Sequence, residues 1–136
     1  MGDSFVIVGD GVAGASAAEK VREMDENADI AVLTDESDAL YNRIMLKTFM
    51  KGSLPLQYCR MHDSGWYSKR DIDLRLNTRV IDIDAEERVL ETDSGDELVF
   101  DYLLVASGGS PRGLEFDEGF GHVRYMWTLS DAERIK

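Results

Sequence analysis

Residues 5–14 read Phe-Val-Ile-Val-Gly-Asp-Gly-Val-Ala-Gly, and the small residues Ala15 to Ala18 follow. An apolar run, Phe5–Val8, enters a Gly-x-Gly-x-x-Gly turn at Gly9, Gly11 and Gly14, and a small-residue helix leaves it. The chemistry this order suits is binding rather than bond-making. Gly9 permits the tight turn. Gly11 has no side chain to hold the backbone away from a pyrophosphate. Gly14 lets the helix lie close on the strand. The free N–H groups of the first helical turn, with the helix dipole behind them, face the phosphates. The stretch therefore points to an adenine dinucleotide and leaves open which one.

A second set of residues fits the same ligand. Asp35 and Glu36 lie about 20 residues past the turn, after a second apolar run, where a carboxylate suits the vicinal diol of a ribose. They also read as a solvated acidic turn. Nothing in the chain forms a dedicated acid–base pair, so no catalytic residue is assigned. Cys59 is the one cysteine, which excludes an internal disulfide or a redox pair and reads as structural or incidental. Cys59-x-x-His62 has metal-ligand spacing, but with one Cys and two His in the chain a tetrahedral set lacks ligands, and no metal site is expected. Trp66 and Tyr67 read as packing of a short helix on a sheet. Met45, Met50 and Met61 read as core fillers.

The elements that position these residues follow from periodicity. Strands are predicted at Ser4–Val8 and Asp29–Leu33, with a helix over Val12–Met24 whose Ala13, Ala17, Val21 and Met24 share a face. A polar turn, Thr34–Asp38, follows. A short helix is expected over Tyr41–Lys51, capped by Asn42, and another over Asp63–Arg70, with Asp63 as N-cap. Alternation of Ile72, Leu74 and Leu76 predicts a strand. Val80–Asp84, Val89–Thr92 and Glu97–Phe100, separated by turn signals, read as an antiparallel meander. Tyr102–Ala106 suits a buried parallel strand. Pro111–Gly121 reads as an acidic, Gly-rich loop, Val123–Met126 as a further short strand, and Ser130 as the cap of a last helix.

The 136 residues predict one domain, with 27 Asp plus Glu against 15 Lys plus Arg and a net charge of −12. Such a surface repels nucleic acid and anionic lipid, so both are excluded as partners. No apolar run approaches the ~20 residues of a membrane span. The chain starts directly on a strand without a signal-peptide pattern, and a cytoplasmic location is expected. Only five of the basic residues are Lys. Acidity with so little lysine suits a halophilic protein, and an ordinary acidic cytosolic protein is the plainer alternative. On the first reading, self-repulsion limits stability at low salt. The Debye length is ~30 Å at 0.01 M and ~3 Å at 1 M, so the thermal midpoint is expected to rise across that range. A flat profile of melting temperature against salt would remove the halophilic reading.

Taken together the pieces resemble the first part of the FAD-binding domain of the pyridine nucleotide–disulfide oxidoreductases, in the branch of rubredoxin reductases, NADH oxidases and nitrite reductases. The resemblance rests on the Gly9–Gly14 turn and on Val32-Leu33-Thr34-Asp35-Glu36 followed by Tyr41-Asn42-Arg43-Ile44-Met45-Leu46. It rests also on the inserted meander and on Leu103-Leu104-Val105-Ala106-Ser107-Gly108-Gly109-Ser110-Pro111-Arg112, with Ser107 where the family has Thr. Trp127–Ala132 is similar to the crossover into the family's NAD(P)H domain.

The resemblance implies an α/β fold: a Rossmann-like parallel sheet of three or four strands with the antiparallel meander inserted, as a partial FAD/NAD(P)-binding domain. It implies that Gly9, Gly11, Val12, Ala13 and Gly14 cradle the FAD pyrophosphate and that Glu36, or Asp35, takes the adenosine ribose. Arg43 would lie near the flavin or its phosphates, or be a surface helix charge. Val80 would face the adenine, or be a plain strand valine. Ala106, Ser107 and Gly108 would pass under the dinucleotide, or simply leave the strand. Lys47-Thr48 departs from the family's Ser-Lys, which puts a flavin-facing lysine in doubt. The function implied is FAD binding within a flavoprotein NAD(P)H oxidoreductase, with NAD(P)H as reductant only in a complete enzyme. The alternative is a non-catalytic NAD- or ADP-binding module or subunit that needs a partner chain. The likeness covers about the first third of such an enzyme. The second nucleotide fold would begin after residue 136. These residues alone are not expected to complete a catalytic cycle, and self-association or a partner subunit is expected.

Overall fold

The computed structural model describes residues 2–115 and 120–136. The chain divides into two compact units, Met1–Leu40 with His62–Gly108 and Tyr41–Met61 with Gly109–Lys136.

The first unit is built on β1 (Ser4–Val8), α1 (Val12–Met24), β2 (Asp29–Leu33), α3 (Ser64–Ser68) and β3 (Ile72–Arg75), followed by β4 (Val80–Asp84), β5 (Val89–Thr92), β6 (Glu97–Val99) and β7 (Tyr102–Val105). A parallel sheet has the order β3-β2-β1-β7, and β4-β5-β6 form a separate antiparallel sheet. Both sheets are those the sequence predicts.

The apolar runs in β1 and β2 have no polar alternation because both faces are buried. Side chains alternate across a strand. Ile7, Ile30 and Val32 therefore join a core with Ala18, Tyr67 and Ile72. Val6 and Leu33 join the opposite core with Leu90 and Phe100, on which Val8, Val80 and Leu103 pack.

Helix α1 packs on the sheet with half of the predicted face, Ala17 and Val21 lying against the core. Gly14, Ala15 and Ala18 are buried, whereas Ala13 is exposed and Met24 is 78% exposed. The close approach of Gly14 sets the rotation of the helix, and Ala13 and Met24 then turn outward. Its end is stitched by Arg22, whose guanidinium donates to the carbonyls of Arg70, Asp25, Glu26, Ala28 and Asp71 at 2.7–3.3 Å. A rigid fork of five donors suits a cluster of carbonyls.

Strand β7 is parallel as expected but not buried. It lies at the sheet edge, with Tyr102 54%, Leu104 42% and Val105 57% exposed. Phe5 stacks on Tyr102 at 4.7 Å and covers part of it. An apolar run reports the capacity to be covered and carries no information on whether a neighbour does so.

The second unit holds α2 (Leu46–Met50) and α4 (Leu129–Ile135), with single 3-10 turns at Arg43–Met45 and Leu56–Tyr58. Asn42 caps the first of these turns by accepting from the Ile44 N–H at 3.0 Å. Tyr41, Leu46, Phe49, Cys59, Leu129 and Ala132 form its core, and the Tyr41 hydroxyl accepts from the Leu129 N–H at 3.1 Å. Met61, predicted as a core filler, is 52% exposed.

Thr128, not Ser130, caps the last helix. Its hydroxyl accepts from the Asp131 N–H at 3.1 Å, and the Asp131 carboxylate accepts from the Thr128 N–H at 2.9 Å. Ser130 with Glu133 offers the same box spacing. The Thr128 box wins because it starts the helix where Leu129 and Ala132, three apart on one face, both enter the core. Val123–Met126 forms no strand. Within the predicted Pro111–Gly121 loop, residues 116–119 lie outside the described residues, and the rest has no helix or strand.

Candidate dinucleotide site

The parallel strands end together, and their ends are tied. The Gly9 N–H donates to the Leu33 carbonyl at 2.7 Å, the Ala106 N–H to Val8 at 2.7 Å, and the Thr34 N–H to Arg75 at 3.0 Å. β1 has β2 on one side and β7 on the other. The chain leaves β1 toward β2 through α1 and returns on the opposite side as β7. Such a reversal of strand order opens a crevice at the carboxyl ends of the strands.

The three glycines of the turn have different reasons to be glycine. Gly9 has φ +107°, and a Cβ there would lie 2.3 Å from the Ala106 carbonyl oxygen. At Gly14 a Cβ would lie 1.9 Å from the Gly9 carbonyl oxygen. At Gly11 a Cβ would meet nothing within 4 Å. Gly11 is the N-cap of α1 in extended conformation, and no side chain caps the helix start. Val12 is 64% exposed beside it, and Ala13 is exposed as well. The first turn of α1 thus presents its backbone N–H groups, with their partial positive charge, to open space.

Around this turn the structure brings Ala106, which is half-buried, and the exposed Ser107 and Gly108, with Gly108 at φ +68°. Asp35 is exposed and Glu36 half-buried just past β2. The Glu36 N–H donates to Thr34 Oγ1 at 3.2 Å, and its carbonyl accepts from the Asn77 N–H at 3.0 Å. Thr34 accepts from the Thr78 N–H at 2.8 Å. These bonds hold the entry to β4, and with it half-buried Val80, beside the end of β2.

Arg43 belongs to the second unit. Its Nη1 donates to the Trp127 carbonyl at 2.6 Å, and its guanidinium lies 5.2 Å from the Tyr41 ring centre and 5.4 Å from that of Trp127. Cys59 is fully buried in the same unit, and burial pushes its thiol pKa up, the opposite of a reactive thiolate. Among the described residues no three His, Cys, Asp or Glu are grouped as for a metal ion, and no helix is long and apolar enough to cross a membrane.

Asp10, the residue between Gly9 and Gly11, is one that sequence reasoning missed. It is only 8% exposed. One carboxylate oxygen accepts from the Tyr67 hydroxyl at 2.5 Å and the other from the Leu40 N–H at 3.0 Å. Burial pushes its pKa up to about 6, against the opposing pull of those two donors and of His62, while Glu36 adds repulsion. Burial and the Asp10 charge push the Tyr67 phenol far above its usual range. Behind the pair, His62 stacks on Trp66 at 3.8 Å and meets Tyr67 edge-on at 6.0 Å, and Arg70 lies 4.0 Å from the Trp66 ring centre. Asp10 and Tyr67 are 57 residues apart, and no local pattern announces their contact.

The family described as "Pyridine nucleotide-disulphide oxidoreductase" matches residues 3–136. The chain is 32% identical to the ferredoxin–NAD(+) reductase component of the biphenyl dioxygenase system of Paraburkholderia xenovorans, across 98% of this chain and 33% of that protein. It is 34% identical to the corresponding component of the anthranilate 1,2-dioxygenase system of Burkholderia cepacia, across 98% of this chain and 34% of that one. Among solved structures, the covalent putidaredoxin reductase–putidaredoxin complex superposes with a TM-score of 0.90 at 29% identity, again over 98% of this chain and 33% of the other. The chain spans about a third of the length of these relatives.

Proposed function

This chain belongs to the pyridine nucleotide-disulphide oxidoreductase family, and from that membership we propose that its Gly9–Gly14 turn binds FAD as part of a flavoprotein NAD(P)H oxidoreductase. The observation that carries the reading is the contrast among the glycines. Gly9 and Gly14 are required by the protein's own packing, whereas nothing in the protein occupies the space a Gly11 side chain would take. The open space at Gly11 supports close approach of a ligand there.

The residues present fit the group. The N–H groups at the start of α1, with the helix dipole, would hold the pyrophosphate. Glu36, or Asp35, would accept hydrogen bonds from the adenosine ribose, and Val80 would lie against the adenine. Ala106, Ser107 and Gly108 would run beneath the dinucleotide, their small size keeping that path open. FAD, when bound, supplies hydride acceptance from NAD(P)H and electron delivery to an acceptor. A ferredoxin is the acceptor class suggested by the names of the relatives. These residues bind and orient, and none is positioned as an acid or base for the transfer itself.

The test is calorimetric titration of the protein with FAD, ADP-ribose and NAD, with the visible flavin spectrum recorded in parallel. FAD and ADP-ribose are expected to compete for one site, with FAD the tighter and its visible bands shifted on binding. Binding of NAD with no binding of FAD would replace this reading with that of a non-flavin nucleotide module.

A further inference from the structure

We propose that Asp10 couples dinucleotide binding to proton uptake: its carboxylate, held beneath the Gly9–Gly14 turn by Tyr67 and Leu40, becomes protonated when the turn takes a pyrophosphate. The inference rests on the turn being a dinucleotide site. Its geometric basis is independent of the cofactor's identity.

Asp10 lies between Gly9 and Gly11, one Cα step of ~3.8 Å from the residue over which the pyrophosphate would lie. Its side chain turns inward and is buried. Both oxygens are engaged, one by the Tyr67 hydroxyl and the other by the Leu40 N–H, so the carboxylate cannot swing away from the turn without losing a partner. The titratable groups bearing on it are Tyr67, His62 and Glu36, and the Glu36 charge already opposes its ionisation. A pyrophosphate diester adds two negative charges a short distance away through poorly solvated protein, where such charges interact strongly. The bound state therefore favours the proton on Asp10. Tyr67 can accept a hydrogen bond from the acid as readily as it donates one to the carboxylate, so the brace survives protonation.

The free protein supplies a carboxyl that is half-protonated at about pH 6. If binding raises this by one unit, affinity is roughly fivefold or more tighter at pH 5.5 than at pH 8, and about half a proton is taken up per ligand at pH 6.5.

The experiment is calorimetry with ADP-ribose, whose phosphates are both esterified and do not titrate in this range. It is run at pH 6.5 in two buffers of different ionisation enthalpy. The native protein is expected to take up about half a proton, and Asp10→Asn, which keeps the shape and removes the titration, close to none. Tyr67→Phe provides a second arm that leaves the turn's sequence untouched. Loss of its donor raises the free carboxyl's proton affinity further, so uptake at pH 6.5 shrinks. Binding without uptake in the native protein, or equal uptake in native and Asp10→Asn, overturns the coupling and leaves the dinucleotide site standing. Absence of ADP-ribose binding at every pH overturns the site and the coupling together.

Discussion

Alanine at Gly14 is expected to cost the protein a large share of its stability, while alanine at Gly11 leaves the fold intact and weakens dinucleotide binding at least tenfold. The Cβ at position 14 would lie 1.9 Å from the Gly9 carbonyl oxygen and 3.3 Å from Ile7 Cγ2. The first contact is with backbone, and that backbone is not free to yield. The Gly9 N–H is bonded to Leu33 at 2.7 Å, and Gly9 itself lies against Ala106. Relief requires α1 to lift from β1, which opens the core around Ile7, Ala18 and Val32. A loss of about 4 kcal/mol or more is expected, against a total of about 5–15 kcal/mol for a domain. At Gly11 the backbone is extended and the new methyl meets nothing within 4 Å, so the cost is confined to the weaker cap, about 1 kcal/mol or less. That methyl would stand in the path of the pyrophosphate, and FAD affinity is expected to fall at least tenfold, about 1.4 kcal/mol. Denaturant unfolding of both variants and calorimetry of Gly11→Ala with FAD check this. Full affinity in the stable Gly11→Ala protein would dissociate the turn from the ligand.

The second large effect is electrostatic. The stability advantage of Asp10→Asn over the native protein is expected to grow by up to about 3 kcal/mol as the pH rises from about 4 to about 7. Asp10 is raised from the usual 3.8 to about 6 in the folded protein. The native state therefore binds this proton more tightly than the unfolded chain. Its contribution to stability is fully present below pH 3.8 and is lost as the pH rises through about 6. Asparagine keeps an acceptor for the Leu40 N–H and a donor for the Tyr67 oxygen but does not titrate. The part of the difference that varies with pH isolates the carboxyl from any constant effect of the substitution and from the other acidic groups. Urea unfolding of the two proteins at several pH values measures it. A difference that stays flat across the range would mean that Asp10 is well solvated when charged.

The charge and the turn meet at one place. In a chain of net charge −12, Asp10 puts a carboxylate inside the Gly9–Gly14 turn. Burial against Tyr67 and Leu40 makes that tolerable. It also leaves the residue with a pKa raised to about 6.

By itself the sequence determined the elements whose signals are local. β1, α1 and β2 fall where the apolar runs, the helical periodicity and the glycine spacing put them, because two-sided burial of a short strand and the turn's steric needs act within a few residues. The meander was legible from its turn residues, and the Gly9, Gly11, Gly14 turn from its glycine spacing. Long-range packing accounts for the remainder. It set the rotation of α1, since a helix with small residues on several faces has no single preferred side until Gly14 packs. It chose Thr128 over Ser130 as a cap, since two boxes of equal local quality differ only in whether Leu129 and Ala132 reach a core. It left the apolar β7 exposed at the sheet edge. It tied Arg43 to Trp127, 84 residues away, and Asp10 to Tyr67, 57 residues away. A contact of that span depends on the whole path of the chain between its ends, so residue spacing specifies the glycine turn but not the buried partners that hold its Asp10 carboxylate.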